Sequence, residues 1–233
     1  MMFKYLLIDL DDTILDFHKA EGIALRKTLR AYGVEPTDEN CARYSEINKM
    51  FWERLERKEL TRPQVMSGRF EMLFGELGVP VDPVACSETY MDNLSIGHYF
   101  LPGAVEALEV LHKKYTLYMA SNGNAKVQDG RLKSANINHY FADIFVSQNM
   151  GADKPSKVYF DRCFARIPNF DPAKAMIIGD SLTSDILGGK NAGIATCWVN
   201  PNHKPAREDI RPDYEIESLS QLPKLLESIE KAP

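Results

Sequence analysis

The chain has no long apolar run, no paired cysteines and no surplus of positive charge, and each absence removes a class of function. Nowhere in its 233 residues does a stretch approach the ~20 apolar residues that span a bilayer, so a membrane partner is not expected. The opening MMFKYLLIDLDD is apolar for only a few positions and ends in acids. That pattern reads as a buried strand rather than a secretion signal, and cytoplasmic residence is the default expectation. Cys41, Cys86, Cys163 and Cys197 include no C-x-x-C pair and no accompanying histidine cluster. Structural zinc and a disulfide framework are therefore not expected, whereas reduced thiols are. Lysine and arginine number 28 against 33 aspartates and glutamates, a formal net charge of −5. A nucleic-acid polymer calls for a basic footprint, so none is expected as a partner; a small anion in a locally positive site is still allowed.

What is present is a length sufficient for one core with a smaller appended domain. Tyr5 to Ile8 reads as a compact apolar strand. From Phe17 to His98 the text changes: EGIALRKTLRAYG, YSEINKMFWERLERKEL and MSGRFEMLFGELG place apolar residues at helical spacing, punctuated by Gly33, Pro63, Gly78 and Pro83. This predicts a bundle of about four helices. After Leu101-Pro102-Gly103 strand and helix alternate, with strands expected at Tyr115–Ala120, Asp143–Val146, Ala175–Gly179 and Ile194–Val199. Helices are expected near Ala104–His112, Ala125–Ala135, Ser156–Ile167 and Ser184–Ala192, then a short strand Tyr214–Ile216 and a helix Leu222–Ile229. Such alternation predicts an α/β fold, a Rossmann-like and mostly parallel sheet with helices on both faces. The expected division is a core of residues 1–16 and 99–233 and an inserted helical cap of residues 17–98, placed over the crevice at the strand ends.

Four segments carry residue types suited to chemistry. Asp9-Leu10-Asp11-Asp12-Thr13 leaves the first strand with three acids in four positions. Like charges this close are unfavourable unless a proton or cation compensates, and a hard, oxygen-ligated ion such as Mg²⁺ suits them; an N-cap by Asp12 or Thr13 accounts for the same residues. In Gly179-Asp180-Ser181-Leu182-Thr183-Ser184-Asp185, Asp180 follows the apolar AMIIG and Asp185 stands at a helix start, again with capping as the alternative. Two strand ends delivering carboxylates to one sheet edge would make a metal cradle with Asp9. Ser121-Asn122-Gly123-Asn124 offers a hydroxyl and turn amides, the donors that phosphate wants, or else a simple serine turn. In Gly151-Ala152-Asp153-Lys154-Pro155-Ser156, Pro155 is suited to open a helix. It would aim Lys154 back at the crevice to offset phosphate and acids, against the common fate of lysine in solvent.

These four pieces, in this order, resemble the motifs of the haloacid-dehalogenase-like (HAD) hydrolase superfamily. DLDDT resembles its D-x-D-x-T signature at Asp9, Asp11 and Thr13, and the serine of YMASNG its second motif at Ser121. Lys154 matches the third, and GDSLTSD the fourth at Asp180 and Asp185. The helical insertion resembles the superfamily's α-helical cap. The run GDSLTSDILGGKNAGIATCWVNP further resembles the YjjG/YfnB-like subgroup of pyrimidine 5′-nucleotidases.

The resemblance implies a Mg²⁺-dependent phosphomonoester hydrolase with Asp9 as nucleophile and Asp11 as general acid and then base. It implies Mg²⁺ held by the Asp9 carboxylate, the Asp11 carbonyl and the Asp180 carboxylate, with Asp185 acting through a metal-bound water or by orienting Lys154. Ser121, Lys154 and the backbone amides of Leu10, Asp11 and Asn122 would grip the phosphoryl oxygens, and Thr13 would steady the loop. The acid at Asp11 favours phosphoryl transfer over dehalogenation. Phosphonatase-type chemistry would need a Schiff-base lysine in the cap, and nothing marks Lys19, Lys27, Lys49 or Lys58 for it. The partner implied is a small phosphorylated metabolite, a nucleoside monophosphate first. A sugar phosphate, a phosphomutase reaction resembling that of β-phosphoglucomutase and a non-catalytic nucleotide-binding protein are the alternatives. Phe17, His18 and Asn124 are the candidates for reading the leaving group, with junction packing as the competing explanation for Phe17 and a helix-start role for His18. Met50, Phe51, Trp52, Arg54 and Arg57 could face the crevice, or make up cap core and solvated face. The sequence leaves monomer or dimer open.

Overall fold

The computed structural model describes residues 3–231. Its first strand, β1 (Tyr5–Ile8), is buried along its whole length, as a central strand covered on both faces must be. Side chains alternate across it. Leu6 and Ile8 join one core with Leu117, Met119, Met176 and Ile178, whereas Tyr5 and Leu7 join another with Tyr118, Ala120, Phe145 and Ile177. The two cores lie on opposite faces of one sheet because the strand period is two.

Four helices follow: α1 (Phe17–Ala31), α2 (Asp38–Glu56), α3 (Arg62–Leu77) and α4 (Pro83–Ser95). Asp16, Thr37 and Asp82 cap three of them with side-chain oxygens, each satisfying an amide left free at a helix start. The four helices share their own apolar core around Leu25, Leu29, Tyr44, Phe70, Leu73 and Tyr90. Tyr44, Phe70 and Tyr90 meet with ring centroids 5.0 to 5.5 Å apart. A separate core is what lets this insertion act as a distinct body.

The chain then returns to the sheet through α5 (Ala104–Leu111), β2 (Thr116–Ser121), α6 (Ala125–Ala135), β3 (Phe141–Val146), the short α7 (Ser147–Met150), α8 (Lys157–Phe164), β4 (Ala175–Gly179), α9 (Leu187–Ala192), β5 (Ala195–Val199), β6 (Tyr214–Ile216) and α10 (Leu222–Lys231). The six strands run β3-β2-β1-β4-β5-β6, every neighbouring pair parallel. The chain winds outward from β1 to β3, then crosses back to β4 and winds outward the other way. The switch therefore falls between β1 and β4, where open parallel sheets form their ligand crevice. The predicted sheet and its inserted helices are both present, and the four cysteines are buried and unpaired. No described helix is long and apolar enough to cross a membrane.

Local expectations differ in several element bounds, and three of the differences bear on the crevice. Pro155 lies outside α8, because Ser156 is its N-cap and accepts from the Val158 amide. The segment expected to be helix from Ser184 begins instead as a wide π-helical turn, Leu182–Ile186. There Asp185 turns back to accept from the Ser181 amide at 3.2 Å and from Lys154 at 2.6 Å, contacts a regular helix start would not give it. The strand expected at Tyr115–Ala120 is displaced by one residue, which makes Ser121 its last member.

Phe70 is fully buried at the centre of the cap aromatics. Phe70→Ala is expected to lower unfolding free energy by about 3–5 kcal/mol, measured by denaturant unfolding. A loss below about 1 kcal/mol would mean that the cap core does not pack as described.

Candidate active site

The site is assembled by strand ends. The Asp9 amide donates to the Ile178 carbonyl at 2.9 Å, which fixes Asp9 beside Gly179 and Asp180 at the switch. The chain then turns sharply. Asp12 takes a left-handed conformation, φ 53°, which aspartate tolerates better than most residues. Its carboxylate accepts from the Phe17 amide at 2.9 Å. Ile14 and Leu15 amides both donate to the Leu10 carbonyl, while the Leu10 side chain is sealed in the sheet core. Only the backbone of Leu10 can serve the crevice. Thr13 is fully buried and its hydroxyl has no partner among the described residues.

Lys154 is the centre of the cluster. It is 1% exposed, and its ammonium donates to Asp9 at 2.7 Å, Asp185 at 2.6 Å and the Ala120 carbonyl at 2.6 Å. An ammonium has three hydrogens, and all three are engaged. Asn122 fixes the backbone that carries it. The Asn122 amide nitrogen donates to the Lys154 carbonyl at 2.9 Å, and its oxygen accepts from the Lys154 amide at 2.8 Å. This side-chain clamp, rather than a helix opened by Pro155, is what aims the lysine.

Carboxylate oxygens of Asp9, Asp180 and Asp185 lie within 4.8 Å of one another. Gly179 permits this, because a Cβ there would stand 2.2 Å from the Asp185 carboxyl. One ammonium against three carboxylates leaves the cluster two charges short of neutrality. Burial, reinforced by Asp185 and Asp11, accordingly pushes Asp9 up to about 8 despite Lys154. Burial, with Asp9 and Asp185 adding to it, holds Asp180 well above the usual carboxylate range. Burial opposes the charge on Lys154, but Asp185 and Asp9 outweigh it and hold the ammonium above its ordinary value. A buried set of oxygen donors lacking two positive charges fits a hard divalent cation.

Ser121 is buried, and its oxygen accepts from Gln128 at 2.9 Å and from the Gly123 amide at 3.1 Å. The hydroxyl hydrogen is thereby directed away from both, as an anion site requires. Asp11 lines the same cavity as Lys154. Its two oxygens accept from Gln128 at 2.6 Å and from the fully buried Arg131. Arg131 also donates to the Gly97 carbonyl at 2.9 Å and lies over the Phe17 ring, so it touches both chain crossings into the cap. Sequence reasoning missed Gln128 and Arg131. Their signal was two polar residues on the buried face of α6, beside Val127 and Leu132, where an amphipathic helix places apolar ones.

A cavity of about 290 Å³ joins these groups to the cap, with Phe17, Trp52, Met66, Met91 and Leu94 on the cap side. Asp9, Asp11, Ser121, Asn122, Asn124, Lys154, Asp180 and Asp185 all line it. His18 does not: it is exposed and lies 3.5 Å from Asp12. Asn124 also caps α6, accepting from the Val127 amide. Of the expected cap cluster, Trp52 reaches the cavity, Phe51 packs in the cap core, and Arg54 and Arg57 pair with Glu59 at the surface. Lys19, Lys27, Lys49 and Lys58 are all exposed, which leaves no cap lysine for a Schiff base. The cap is held down by Arg62, which donates to Ser147 at 2.7 Å, to the Asn122 and Gly123 carbonyls at 3.2 Å, and to Asp153. Glu56 accepts from Thr183 at 3.1 Å.

The sequence pattern of the haloacid dehalogenase-like hydrolases matches residues 6–199. YfnB of Bacillus subtilis is 40% identical over 94% of both chains. Its magnesium-bound crystal structure superposes with a TM-score of 0.93 at 40% identity, covering 97% of this chain and 99% of that one. The pyrimidine 5′-nucleotidase PynA of Streptococcus pneumoniae is 36% identical over 95% of this chain and 94% of its own. The pyrimidine 5′-nucleotidase YjjG of Escherichia coli is 32% identical over 97% and 99%.

Folded, metal-free protein keeps a proton on Asp9 up to about pH 8, whereas the unfolded chain releases it near 3.8. Between those values the folded state binds the extra proton, so rising pH destabilises the metal-free protein. A divalent cation competes with that proton. The rise in Tm on adding Mg²⁺ is expected to be larger at pH 8 than at pH 5, and smaller in Asp180→Asn at either pH. Equal gains at both pH values, in wild type and variant alike, would contradict a carboxylate cation site.

Proposed function

Because the chain belongs to the haloacid dehalogenase-like hydrolases, we propose that it is a Mg²⁺-dependent phosphomonoesterase in which Asp9 is the nucleophile, with pyrimidine nucleoside 5′-monophosphates as substrates. The observation that carries the reading is the position of Asp9: a buried carboxylate at the sheet switch, tied to Lys154 and sharing one cavity with Ser121 and Asp11. The Asp9 carboxylate, the Asp11 carbonyl and the Asp180 carboxylate are the groups that would hold Mg²⁺, which when bound supplies positive charge against the carboxylates and the transferring phosphoryl group.

The chain's own groups then divide the work. The Ser121 hydroxyl binds a phosphoryl oxygen, and the Lys154 charge beside Asp9 lowers the repulsion an anionic nucleophile meets. An Asp9 oxygen attacks phosphorus, forming an aspartyl-phosphate as the ester P–O bond breaks. Asp11 gives its proton to the departing ester oxygen. As a carboxylate it then takes a proton from the water that attacks phosphorus, which breaks the Asp9–phosphorus bond and releases inorganic phosphate. Gln128 and Arg131 hold Asp11 in place for both transfers. Asp185 keeps Lys154 aimed. We assign residues 17–98 to the cap, which excludes bulk water when Arg62 and Glu56 hold it against the core.

The nucleotide reading draws on two relatives described as pyrimidine 5′-nucleotidases and on the apolar cap side of the cavity, where Trp52, Met66, Met91 and Leu94 suit a planar ring better than a polyhydroxyl chain. Phosphate release with Mg²⁺ across nucleoside monophosphates, sugar phosphates and acyl phosphates tests it. UMP, dUMP or dTMP are expected to lead, and Asp9→Asn to lower turnover by at least about 10³-fold. Activity spread over sugar phosphates would remove the substrate assignment and leave the mechanism. Undiminished turnover in Asp9→Asn would remove the mechanism.

A further inference from the structure

Arg69 is a buried cation in the cap that the chemistry above does not use. It is 3% exposed and forms no ion pair among the described residues, yet it lines the same cavity as Asp9. One terminal nitrogen donates to the Asn48 side-chain oxygen at 2.7 Å. Asn48 in turn donates to Glu21 at 2.7 Å, and Ser45 donates to the other Glu21 oxygen at 2.7 Å. Because Asn48 accepts from an arginine and donates to a glutamate, its amide has one orientation only. The guanidinium sits over the rings of Tyr44, Phe70 and Tyr90, 5.0 to 5.9 Å from their centroids, so it has little freedom to move.

The rest of the guanidinium is poorly served. Nε reaches the Met66 carbonyl only at 3.4 Å, and the second terminal nitrogen meets nothing better than the Met66 sulfur at 3.7 Å. Thioether sulfur is a weak acceptor, and a buried guanidinium with idle hydrogens is costly. Met66 itself lines the cavity, so a ligand that reaches the cap side can offer a better acceptor. The chemistry of that acceptor is restricted. Arginine only donates, which favours a group that only accepts. Glu21 lies two hydrogen bonds away and balances the charge, so a second carboxylate would be repelled, whereas a neutral oxo group would not. The neighbouring Met66, Met91 and Leu94 want a flat apolar body to carry it.

We propose that Arg69, held by Asn48 and Glu21, is a specificity residue that donates a hydrogen bond to a ring carbonyl of the leaving nucleoside's base. This rests on the nucleotidase reading and deepens it. Uracil and thymine present two such carbonyls and cytosine one, while adenine and a bare sugar phosphate present none. A site built to hydrogen-bond a substrate group rejects analogues lacking it far more strongly than an apolar pocket does.

The test compares kcat/KM for UMP and ribose 5-phosphate in wild type, Arg69→Met and Arg69→Lys, with folding of each checked by its melt. The UMP to ribose 5-phosphate ratio is expected to fall at least about tenfold in Arg69→Met, mainly through KM for UMP, and to recover in part in Arg69→Lys. A ratio unchanged within about twofold in folded Arg69→Met would overturn the proposal and leave the nucleotidase reading intact. A wild-type enzyme with no preference for UMP over ribose 5-phosphate would remove that reading and this proposal with it. Should Arg69→Met not fold, wild-type enzyme is given UMP and its 2-thio and 4-thio analogues. A several-fold loss in kcat/KM for one analogue, whose sulfur is the weaker acceptor, supports the proposal; equal values for all three overturn it.

Discussion

The contact of the Lys154 ammonium with Asp9, Asp185 and the Ala120 carbonyl is the point on which the rest of the site hangs. The three acceptors come from the ends of β1 and β2 and from the turn after β4, so one side chain ties together three segments that meet at the sheet switch. Buried ion pairs are seldom retained for stability alone, since desolvation opposes them. Here the arrangement holds a carboxylate in a fixed position at a crevice while leaving the cluster short of positive charge. A divalent cation would meet that shortage. Remove the lysine and Asp9 would be a buried acid with no charged partner among the described residues.

Two bodies share the work. The sheet places Asp9, Ser121 and Asp180 at the ends of β1, β2 and β4, and the Asn122 side chain clamps the backbone that carries Lys154. The cap supplies the apolar wall and Arg69, which lines the same cavity as Asp9 and is backed by the buried Asn48 and Glu21. Arg131 stands between them, holding Asp11 while touching Phe17 and Gly97 at the two crossings. Asp11 and the two crossings are thereby linked through one buried guanidinium.

Much of this was legible in the sequence, and the reasons are physical. The strands Tyr5–Ile8, Ala175–Gly179 and Tyr214–Ile216 emerge as read, because apolar runs bounded by acids or glycine leave no competing period. The four-helix insertion was equally plain from its spacing. Asp9, Asp11, Ser121, Lys154, Asp180 and Asp185 were named from four motif-like segments, and the fold brings all six to one cavity. What was hidden depends on tertiary contact. The clamp of Asn122 on Lys154 joins residues 32 positions apart, and the Asp185 carboxylate in the π-helical turn meets Lys154 from 31 positions away. Gln128, Arg131 and Arg69 read as ordinary helix residues until burial shows them facing a cavity. His18 shows the opposite case: it sits beside the motif in sequence and points into solvent in space.

The central claim is that Asp9 carries the phosphoryl group between substrate and water. Rapid acid quench of the enzyme turning over a nucleoside monophosphate labelled in its phosphate, followed by peptide mapping, tests it most directly. The account predicts an acid-stable, hydroxylamine-labile label confined to the peptide containing Asp9 and absent from Asp9→Asn protein. Label on a histidine or serine peptide, or turnover with no trapped label while Asp9→Asn keeps its activity, would contradict it.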